Sequence, residues 1–308
     1  MAIARCAVIS QGCWGYMADA MTQAATLPRT KFAIWSRRLA LFSAALILIA
    51  LVLHRLGRVE TPLGIGLVLT GFVGAVLALL SGIAASVVIW RKGVPGAWSA
   101  TAGIAVSLAI FAWPASVVPF YLRTAPLSDV TTDTEHPPEY VTLARNRAKA
   151  ANPVVYRGAT AEIQEKYYPE IKPMILERPA EEVFESVGEA ARRLKWRIVA
   201  EEPPQEDGTA GHIEAEDRTL ILGFIDDVIV RVESDGGTTR VDVRSLSRYG
   251  THDFGRNASR IKEFYTELQA RLEAAVPATA APRTRPKGRK VPPRVRKGAP
   301  DRGQGPRK

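Results

Sequence analysis

Three apolar stretches dominate the first 125 residues, and no charged side chain interrupts any of them. They run from Leu39 to Leu53, from Leu63 to Trp90 and from Val94 to Leu122. About 20 apolar residues suffice to cross a bilayer as an α-helix, and the shorter first stretch is flanked by an aromatic residue and by cations that suit a membrane interface. The pattern therefore predicts an anchor of three transmembrane helices over residues 35–123.

The second stretch carries small residues at a constant four-residue spacing. Such a row would let another helix approach closely, either in the bundle or in a partner membrane protein. The predicted packing row consists of Gly66, Thr70, Gly74, Ala78, Gly82 and Ser86. None of the three stretches contains Asp, Glu, Lys, Arg or His. This argues against a pump or transporter, because proton and ion pathways ordinarily need such residues.

Basic residues near the ends of the stretches predict the orientation. Six lie on the N-terminal side and three on the opposite side, and the side with the excess is normally cytoplasmic. The six are Arg29, Lys31, Arg37, Arg38, Arg91 and Lys92, and the three are Arg55, Arg58 and Arg123. We therefore expect residues 1–34 in the cytoplasm, the three helices in the membrane, and residues 124–276 as a domain outside the cytoplasm.

Beyond the third stretch the pattern becomes that of an α+β domain. Residues 124–152 are rich in Pro, Thr and acids, which predicts an extended connector lying on the domain or the membrane. Helical spacing of apolar residues predicts helices from Pro179 to Leu194 and from Asp253 to Ala274. Short strands are predicted at 196–200, 212–215 and 219–223. This order predicts an antiparallel sheet covered on one face by two helices.

The clearest local structure is a hairpin over residues 226–247. Valines alternate with charged residues on both arms, which predicts one apolar face and one charged face. A four-residue loop over 235–238 sets opposite charges against one another, whereas a two-residue loop would pair two arginines. The expected pairs are Glu233 with Arg240 and Arg231 with Asp242. We therefore expect the longer loop.

The formal net charge of +10 is concentrated in the C-terminal tail. Residues 277–308 hold eleven basic residues and one acid, so the rest of the chain is neutral overall and no nucleic-acid partner is expected. The tail is rich in Pro and poor in apolar residues, which predicts disorder. It is either a solvated extension or a contact with anionic lipid or an envelope polymer.

Cysteine usage excludes several kinds of site from the domain. Cys6 and Cys13 both precede the first apolar stretch. The domain is therefore expected to hold no disulfide and no thiolate metal site, and its sequence contains no motif for a cofactor. His136, His212 and His252 lie far apart in the sequence, so no metal site is expected.

Asp226 and Asp227 are adjacent carboxylates, which could bind a cation or act as acid and base. Successive side chains of a strand point to opposite faces, however, so the two cannot converge on one ligand without a bulge. This geometry favours a structural role for the pair.

The run RSLSRYGTHDFGRN is the stronger candidate for a site. It leaves a strand and enters a helix with arginines, hydroxyls and glycines, which is how proteins present amides to an anion. The candidate ligand-binding residues are Arg244, Ser245, Ser247, Arg248, His252, Asp253, Arg256 and Asn257. The alternative is an internal brace. Its pairs would join Arg244 and Arg248 to Asp253 and Asp227, with Asp253 or Asn257 as the helix cap.

Two of these runs also carry a family resemblance. FIDDVIVRV, followed by VDVRSLSRYGTHDFGRNASRIKEF, resembles the signature of the bacterial and plastid family called domain of unknown function 1499. Upstream, LSDVTTDTEHPP resembles its membrane-anchored proteobacterial branch. The resemblance covers about residues 124–275 and implies a membrane-associated protein on the far side of an energy-transducing membrane, without an established activity. With the predicted orientation, this places the helices in a bacterial inner membrane and residues 124–276 in the periplasm. Other branches carry a cysteine-containing motif that this chain lacks, so a thiol role does not transfer.

These observations predict a non-enzymatic, membrane-anchored binding or envelope-maintenance protein whose domain recognises an anionic or polar partner. One alternative is an enzyme that uses His252 with Asp253 on a phosphate or carboxylate substrate. A second is a structural subunit of a membrane complex, which the packing row favours. Nothing in the sequence identifies the ligand.

The basic asymmetry makes a topological prediction. Alkaline phosphatase, which is active only outside the cytoplasm, should be active when fused after Ala275 and inactive when fused at Lys92, because the two sites are expected on opposite sides of the membrane. Enzyme activity of the two fusions in whole cells measures this. The reverse pattern would contradict the periplasmic placement of the domain.

Overall fold

The computed structural model describes residues 30–219, 222–235 and 237–275. It begins with three long helices: α1 (Lys31–Arg55), α2 (Thr61–Lys92) and α3 (Ala97–Arg123). All three are long and apolar enough to cross a membrane. Helix α1 extends beyond the predicted apolar stretch at both ends, and α3 continues through Pro114 and Pro119. The predicted N-terminal segment, apart from its last residues, and the basic tail lie outside the described residues.

All three helices meet around Ser36 of α1. Its hydroxyl donates a hydrogen bond to the carbonyl oxygen of Ala78 on α2 at 2.8 Å. A Cβ atom added to Gly103 of α3 would lie 2.1 Å from the Ser36 hydroxyl oxygen and 2.7 Å from its backbone carbon. A Cβ added to Gly82 of α2 would lie 2.8 Å from the same hydroxyl oxygen. Glycine at these two positions is therefore what allows the backbones to pack.

The residues of the predicted packing row lie on two sides of α2. Gly74, Ala78 and Gly82 face neighbouring helices, whereas Gly66, Thr70 and Ser86 lie on the exposed side. Residues four apart advance by about 40° around an α-helix at each step, so a strict four-residue row leaves the interface within a few turns. The buried face instead alternates steps of three and four residues, which keeps it on one side. Its members are Gly71, Ala75, Ala78, Gly82 and Ala85.

The domain that follows is built on one antiparallel sheet. Its strands are β1 (Asp129–Thr131), β2 (Met174–Leu176), β3 (Arg197–Glu202), β4 (Gly211–Arg218), β5 (Ile225–Asp235) and β6 (Thr238–Ser247). The order is β1-β6-β5-β4-β3, and β2 pairs with β6 beside β1. Two short helices, α4 (Thr142–Arg145) and α5 (Gly158–Tyr167), precede the two longer ones, α6 (Ala180–Arg193) and α7 (Arg256–Ala275).

Helices α6 and α7 cover one face of the sheet, as predicted. Their apolar stripes pack on the alternating valines of β5 and β6, and Trp196 stacks on Phe264 with ring centroids 5.2 Å apart. The core residues Val183, Val187, Val228, Val230, Val243, Ile261 and Leu268 are almost completely buried. The face bearing these valines is the helix-covered face of the sheet, and the opposite one is its second face.

The predicted connector lies on the domain and covers much of the second face, although it also contains strand β1 and helix α4. Residues 124–157 form a covering segment that folds back on this face, with β1 paired to β6 and with Tyr140 and Leu143 packed on Ile229 and Leu246. Gln164 of α5 completes the edge, because its side-chain amide bonds both the N–H and the carbonyl of Thr131. Asp227, Asp242 and Arg244 of the hairpin are consequently buried, whereas Arg231, Glu233 and Arg240 stay partly exposed.

The hairpin register is confirmed, but the loop is shorter than predicted. Arg231 pairs with Asp242 and Glu233 with Arg240, while the strands continue until residues 235 and 238 face each other. A connection of two residues thus preserves the register that the charges require. The strand predicted at 219–223 is wrong, because the N–H of Gly223 bonds the carbonyl of Thr219 in a turn between β4 and β5. Leu220 and Ile221 lie outside the described residues.

The close approach at Ser36 makes a stability prediction. Gly103→Ala should destabilise the protein in detergent by about 2 kcal/mol, because its Cβ would overlap the Ser36 backbone and force the helices apart. Gly66→Ala is the matched control, since its Cβ would meet no atom within 4 Å. Thermal unfolding of the purified variants measures both. Equal midpoints would contradict the packing described.

Candidate functional site

Asp226 and Asp227 lie on opposite faces of β5, as the strand geometry predicts. On the helix-covered face, Asp226 accepts a hydrogen bond from Arg260 Nη2 at 2.6 Å. On the second face, Asp227 accepts two from Arg248, from Nε at 2.9 Å and from Nη2 at 2.7 Å. The two carboxylates therefore serve two separate ion-pair clusters and form no common site.

Arg244 ties the covering segment to the second face. Its guanidinium forms a bidentate pair with Asp129, with Nε to Oδ1 at 3.0 Å and Nη2 to Oδ2 at 2.8 Å. It also donates to the carbonyl oxygens of Pro138 and Val154, and it is 1% exposed. Burial by itself lowers the pKa of Arg244, but Asp129 outweighs burial and raises it. Arg244 thus donates hydrogen bonds to three separate residues of the covering segment.

Arg248 joins β4, β5 and the loop after β6. Besides Asp227, its Nη2 bonds Glu216 at 2.6 Å. Burial alone would raise the pKa of Glu216, but its hydrogen bonds to Arg197 and Arg248 lower it. Burial raises the pKa of Asp227 despite Arg248. The pKa values of Asp227 and Glu216 shift in opposite directions because the two carboxylates are buried to different degrees. The Asp227 side chain is fully buried, whereas that of Glu216 keeps some contact with water.

Arg147 is the least satisfied member of this cluster. Its side chain is only 5% exposed, and its nearest acid is Asp227 Oδ2 at 3.2 Å. None of its side-chain nitrogens makes a hydrogen bond with the residues that the structure describes. Burial lowers the pKa of Arg147, and Asp227 opposes that shift. Arg147 and Asp227 therefore attract each other as nearby charges without an aligned hydrogen bond, unlike the bidentate pair of Arg244 and Asp129.

On the helix-covered face, Arg260 makes hydrogen bonds to four residues, although it is not among the predicted site residues. It donates to Asp217 Oδ2 at 2.7 Å and to Asp226, and its Nη1 bonds the oxygens of Ser245 and Asn257 at 2.9 and 2.7 Å. A signal was present in the sequence, since Arg260 directly precedes Ile261 at the edge of the apolar stripe of the last helix. An arginine there must find acids on the strands beneath it.

Asp253 caps the last helix. Its Oδ1 accepts a hydrogen bond from the N–H of Gly255 at 2.8 Å and its Oδ2 from the N–H of Asn257 at 2.7 Å. Burial raises its pKa, and these two hydrogen bonds oppose the shift. The cap agrees with the brace alternative, although the expected pair of Arg244 and Asp253 does not form, because Arg244 points to the second face and bonds Asp129.

The remaining candidates are also separated in space. His252 stacks on Tyr121 at the end of α3, and its Nδ1 accepts a hydrogen bond from the N–H of Phe254 at 3.0 Å. Arg256 lies on the surface beside Glu263. Ser247 bonds Asn257 on the helix-covered face. The structure thus separates the eight candidate residues, and the loop presents no cluster of free arginines to an anion.

A cavity that the sequence did not reveal lies on the second face. Its volume is about 600 Å³, and its walls come from residues 135–141 of the covering segment and from the loop between β3 and β4. Polar side chains on the wall are Glu135, His136, Glu139, Glu202, His212 and Arg231. Glu214 also lines the cavity, but its carboxylate already accepts hydrogen bonds from the backbone N–H groups of Val141, Thr142 and Leu143.

Three carboxylates of this cavity are available to a ligand. Glu135, Glu139 and Glu202 form no side-chain hydrogen bond or ion pair with residues inside the described ranges. Arg231 is neutralised by Asp133 at 3.1 Å and by Asp242 at 2.8 Å. Within the part of the chain that the structure describes, no group of three His, Cys, Asp or Glu has a metal-binding arrangement. The cavity is therefore acidic but shows no metal centre.

Comparison with known proteins finds one family similar to this domain. The family described as "Protein of unknown function (DUF1499)" matches residues 129–268, which confirms the resemblance. The chain is similar to that family over these residues. No curated protein matches the sequence. Among solved structures, TTHA0849 from Thermus thermophilus is 13% identical over 34% of this chain and 96% of that chain. Its TM-score of 0.19 is too low to support an argument.

The ion pairs make a prediction about Arg248. Arg248→Ala should cost about 3 kcal/mol, because it leaves the fully buried Asp227 without its hydrogen-bonding partner. The control Arg256→Ala should cost at most about 1 kcal/mol, since that side chain is 42% exposed. Urea unfolding of the full-length protein in detergent measures both. Unchanged stability of Arg248→Ala would contradict the brace and favour the loop as an anion site.

Proposed function

We propose that this protein is a membrane-anchored binding module of a bacterial inner membrane, with its domain in the periplasm. The three apolar helices support the anchoring, and the excess of basic residues on the N-terminal side supports the orientation. The family carries no activity in its description. The bilayer is then the first partner of the chain, and the basic tail adds an electrostatic attachment to anionic lipid or envelope polymer.

The module is non-enzymatic in this proposal. A hydrolase would need a nucleophile beside a base that is free to take a proton. The imidazole of His252 instead has Nδ1 occupied by the N–H of Phe254. The hydroxyl of Ser245 is hydrogen-bonded to Asn257 and Arg260, and that of Ser247 accepts from Asn257. These contacts favour structural roles over the enzymatic alternative.

The cavity on the second face is the observation that carries the binding role. It is large enough for a small molecule, and three carboxylates on its wall lack partners among the described residues. The arginine on its wall, Arg231, is already neutralised by two aspartates. The charge of the wall therefore favours a polar, cationic ligand over the anionic partner that the loop suggested, and a small organic amine has the required chemistry.

This proposal predicts binding of a polyamine. The full-length protein in detergent should bind the triamine spermidine, and Glu139→Gln with Glu202→Gln should weaken binding about tenfold or more, because two charge-assisted hydrogen bonds are lost. Isothermal titration calorimetry measures the affinity. Inorganic phosphate, tested in the same way, should give no heat of binding.

The control carries the same change in charge at a distance from the cavity. Glu162→Gln with Glu181→Gln alters two acids of helices α5 and α6 and should leave the affinity for spermidine unchanged. Equal weakening by both double variants would mean that only the net charge matters. That result, or binding of phosphate in place of spermidine, would overturn the cavity as the site.

A further inference from the structure

The domain touches the end of helix α1 through the turn between β4 and β5. His54, in the last turn of α1, donates a hydrogen bond from Nδ1 to the carbonyl oxygen of Leu222 at 2.8 Å. Its ring also packs against Phe224, with centroids 5.3 Å apart. A Cβ at Gly223 would lie 3.2 Å from the Cα of Arg55, so the turn sits directly on the helix end.

A second contact joins the loop before α7 to the end of helix α3. Tyr121 stacks on His252 with ring centroids 4.5 Å apart, and Phe254 approaches the same two rings at 6.1 and 4.9 Å. Tyr121 lies two residues before Arg123, the last residue of α3. The ring of Phe254 is therefore at the level of the final turn of this helix.

Phe254 is poorly explained by the domain alone. It is 44% exposed, and its φ of +54° is in the left-handed region, which is rare for a bulky residue. The side chain thus combines backbone strain with exposure of an aromatic ring. Both features are accounted for if the ring has a contact outside the domain, beside the aromatic end of α3.

The charges at this edge of the domain match a lipid surface. Arg218 ends β4, Arg256 begins α7 and Arg123 ends α3, and all three are exposed. Aromatic rings flanked by arginines are the side chains that lie at the boundary between headgroups and acyl chains. Arg218 at the end of β4, Ile225 at the start of β5 and Ser247 at the end of β6 are neighbours in the sheet. These strand termini therefore lie together at one end of the sheet.

We propose that residues 248–255 form a membrane-contact loop, with Phe254 inserted beside Tyr121 at the boundary between lipid headgroups and acyl chains. The domain then rests on the bilayer by one end of its sheet. The inference rests on the proposed membrane anchoring of the three helices. It adds a lipid contact made by the domain itself, at a residue far from the cavity.

The test uses single cysteines in the full-length protein. The only native cysteines, Cys6 and Cys13, are replaced by serine, and the environment-sensitive fluorophore NBD is attached at Phe254→Cys. The matched control is Ile175→Cys, which is exposed on β2 at the other end of β6, about 20 Å from the membrane-contact loop. Leu108→Cys, exposed in the middle of α3, reports on the anchor.

The protein is reconstituted in vesicles of phosphatidylcholine and phosphatidylglycerol. NBD at 254 should be several-fold less accessible to iodide in the water than NBD at 175, and it should be quenched best by nitroxide lipids labelled near the headgroup. NBD at 108 should be quenched best by nitroxides deep in the acyl chains. These three results together support the membrane-contact loop.

Two outcomes would overturn the inference, and they are distinguishable. If position 254 is as accessible to iodide as position 175 while position 108 is quenched by deep nitroxides, the anchor stands and the lipid contact of Phe254 fails. If position 108 is itself accessible to iodide, the proposed membrane anchoring fails, and the contact loop fails with it.

Discussion

The buried pair of Arg244 and Asp129 holds the covering segment on the second face of the sheet, and the rest of the domain depends on that closure. Burying two charges is costly, so the pair is tolerated only because both oxygens of Asp129 and the donors of Arg244 are satisfied. The same guanidinium bonds the carbonyls of Pro138 and Val154, which fixes the segment at three points. Without this segment the buried charges of β5 and β6 would face water and the cavity would lose one wall.

The alternation of β5 and β6 divides the charged residues between two clusters. Asp227 and Arg248 belong to the second face, while Asp226, Ser245 and Arg260 belong to the helix-covered face. Each cluster connects strands to elements that are distant in sequence. The run that resembles the family signature therefore supplies much of the ion-pair network that holds the fold closed. This explains why its arginines are not available to a ligand, and it moves the candidate site to the cavity between the covering segment and β3–β4.

The proposed anchor and the proposed binding cavity lie at opposite ends of the same strand. Strand β4 begins at Gly211, beside the cavity residues Ala210 and His212, and it ends at Arg218, near the contact with α1. Extended chain of this length separates the two ends by about 23 Å. In a membrane-anchored module, this arrangement lets the cavity open away from the bilayer. A soluble ligand can then reach it while the other end of the sheet rests on the helices.

Features that depend on local period and on the charges of paired strands could be predicted from the amino-acid order. The apolar stretches predicted the three helices, and the charges of Arg231 and Asp242 predicted the hairpin register, since strand pairing brings those residues face to face. Burial of the charged face emerged only from the folded chain, because Asp129 and Arg244 are 115 residues apart. The same holds for the cavity and for the position of Phe254 beside Tyr121. No local pattern records which distant segment will cover a polar surface, since that depends on how all the pieces of the chain pack together.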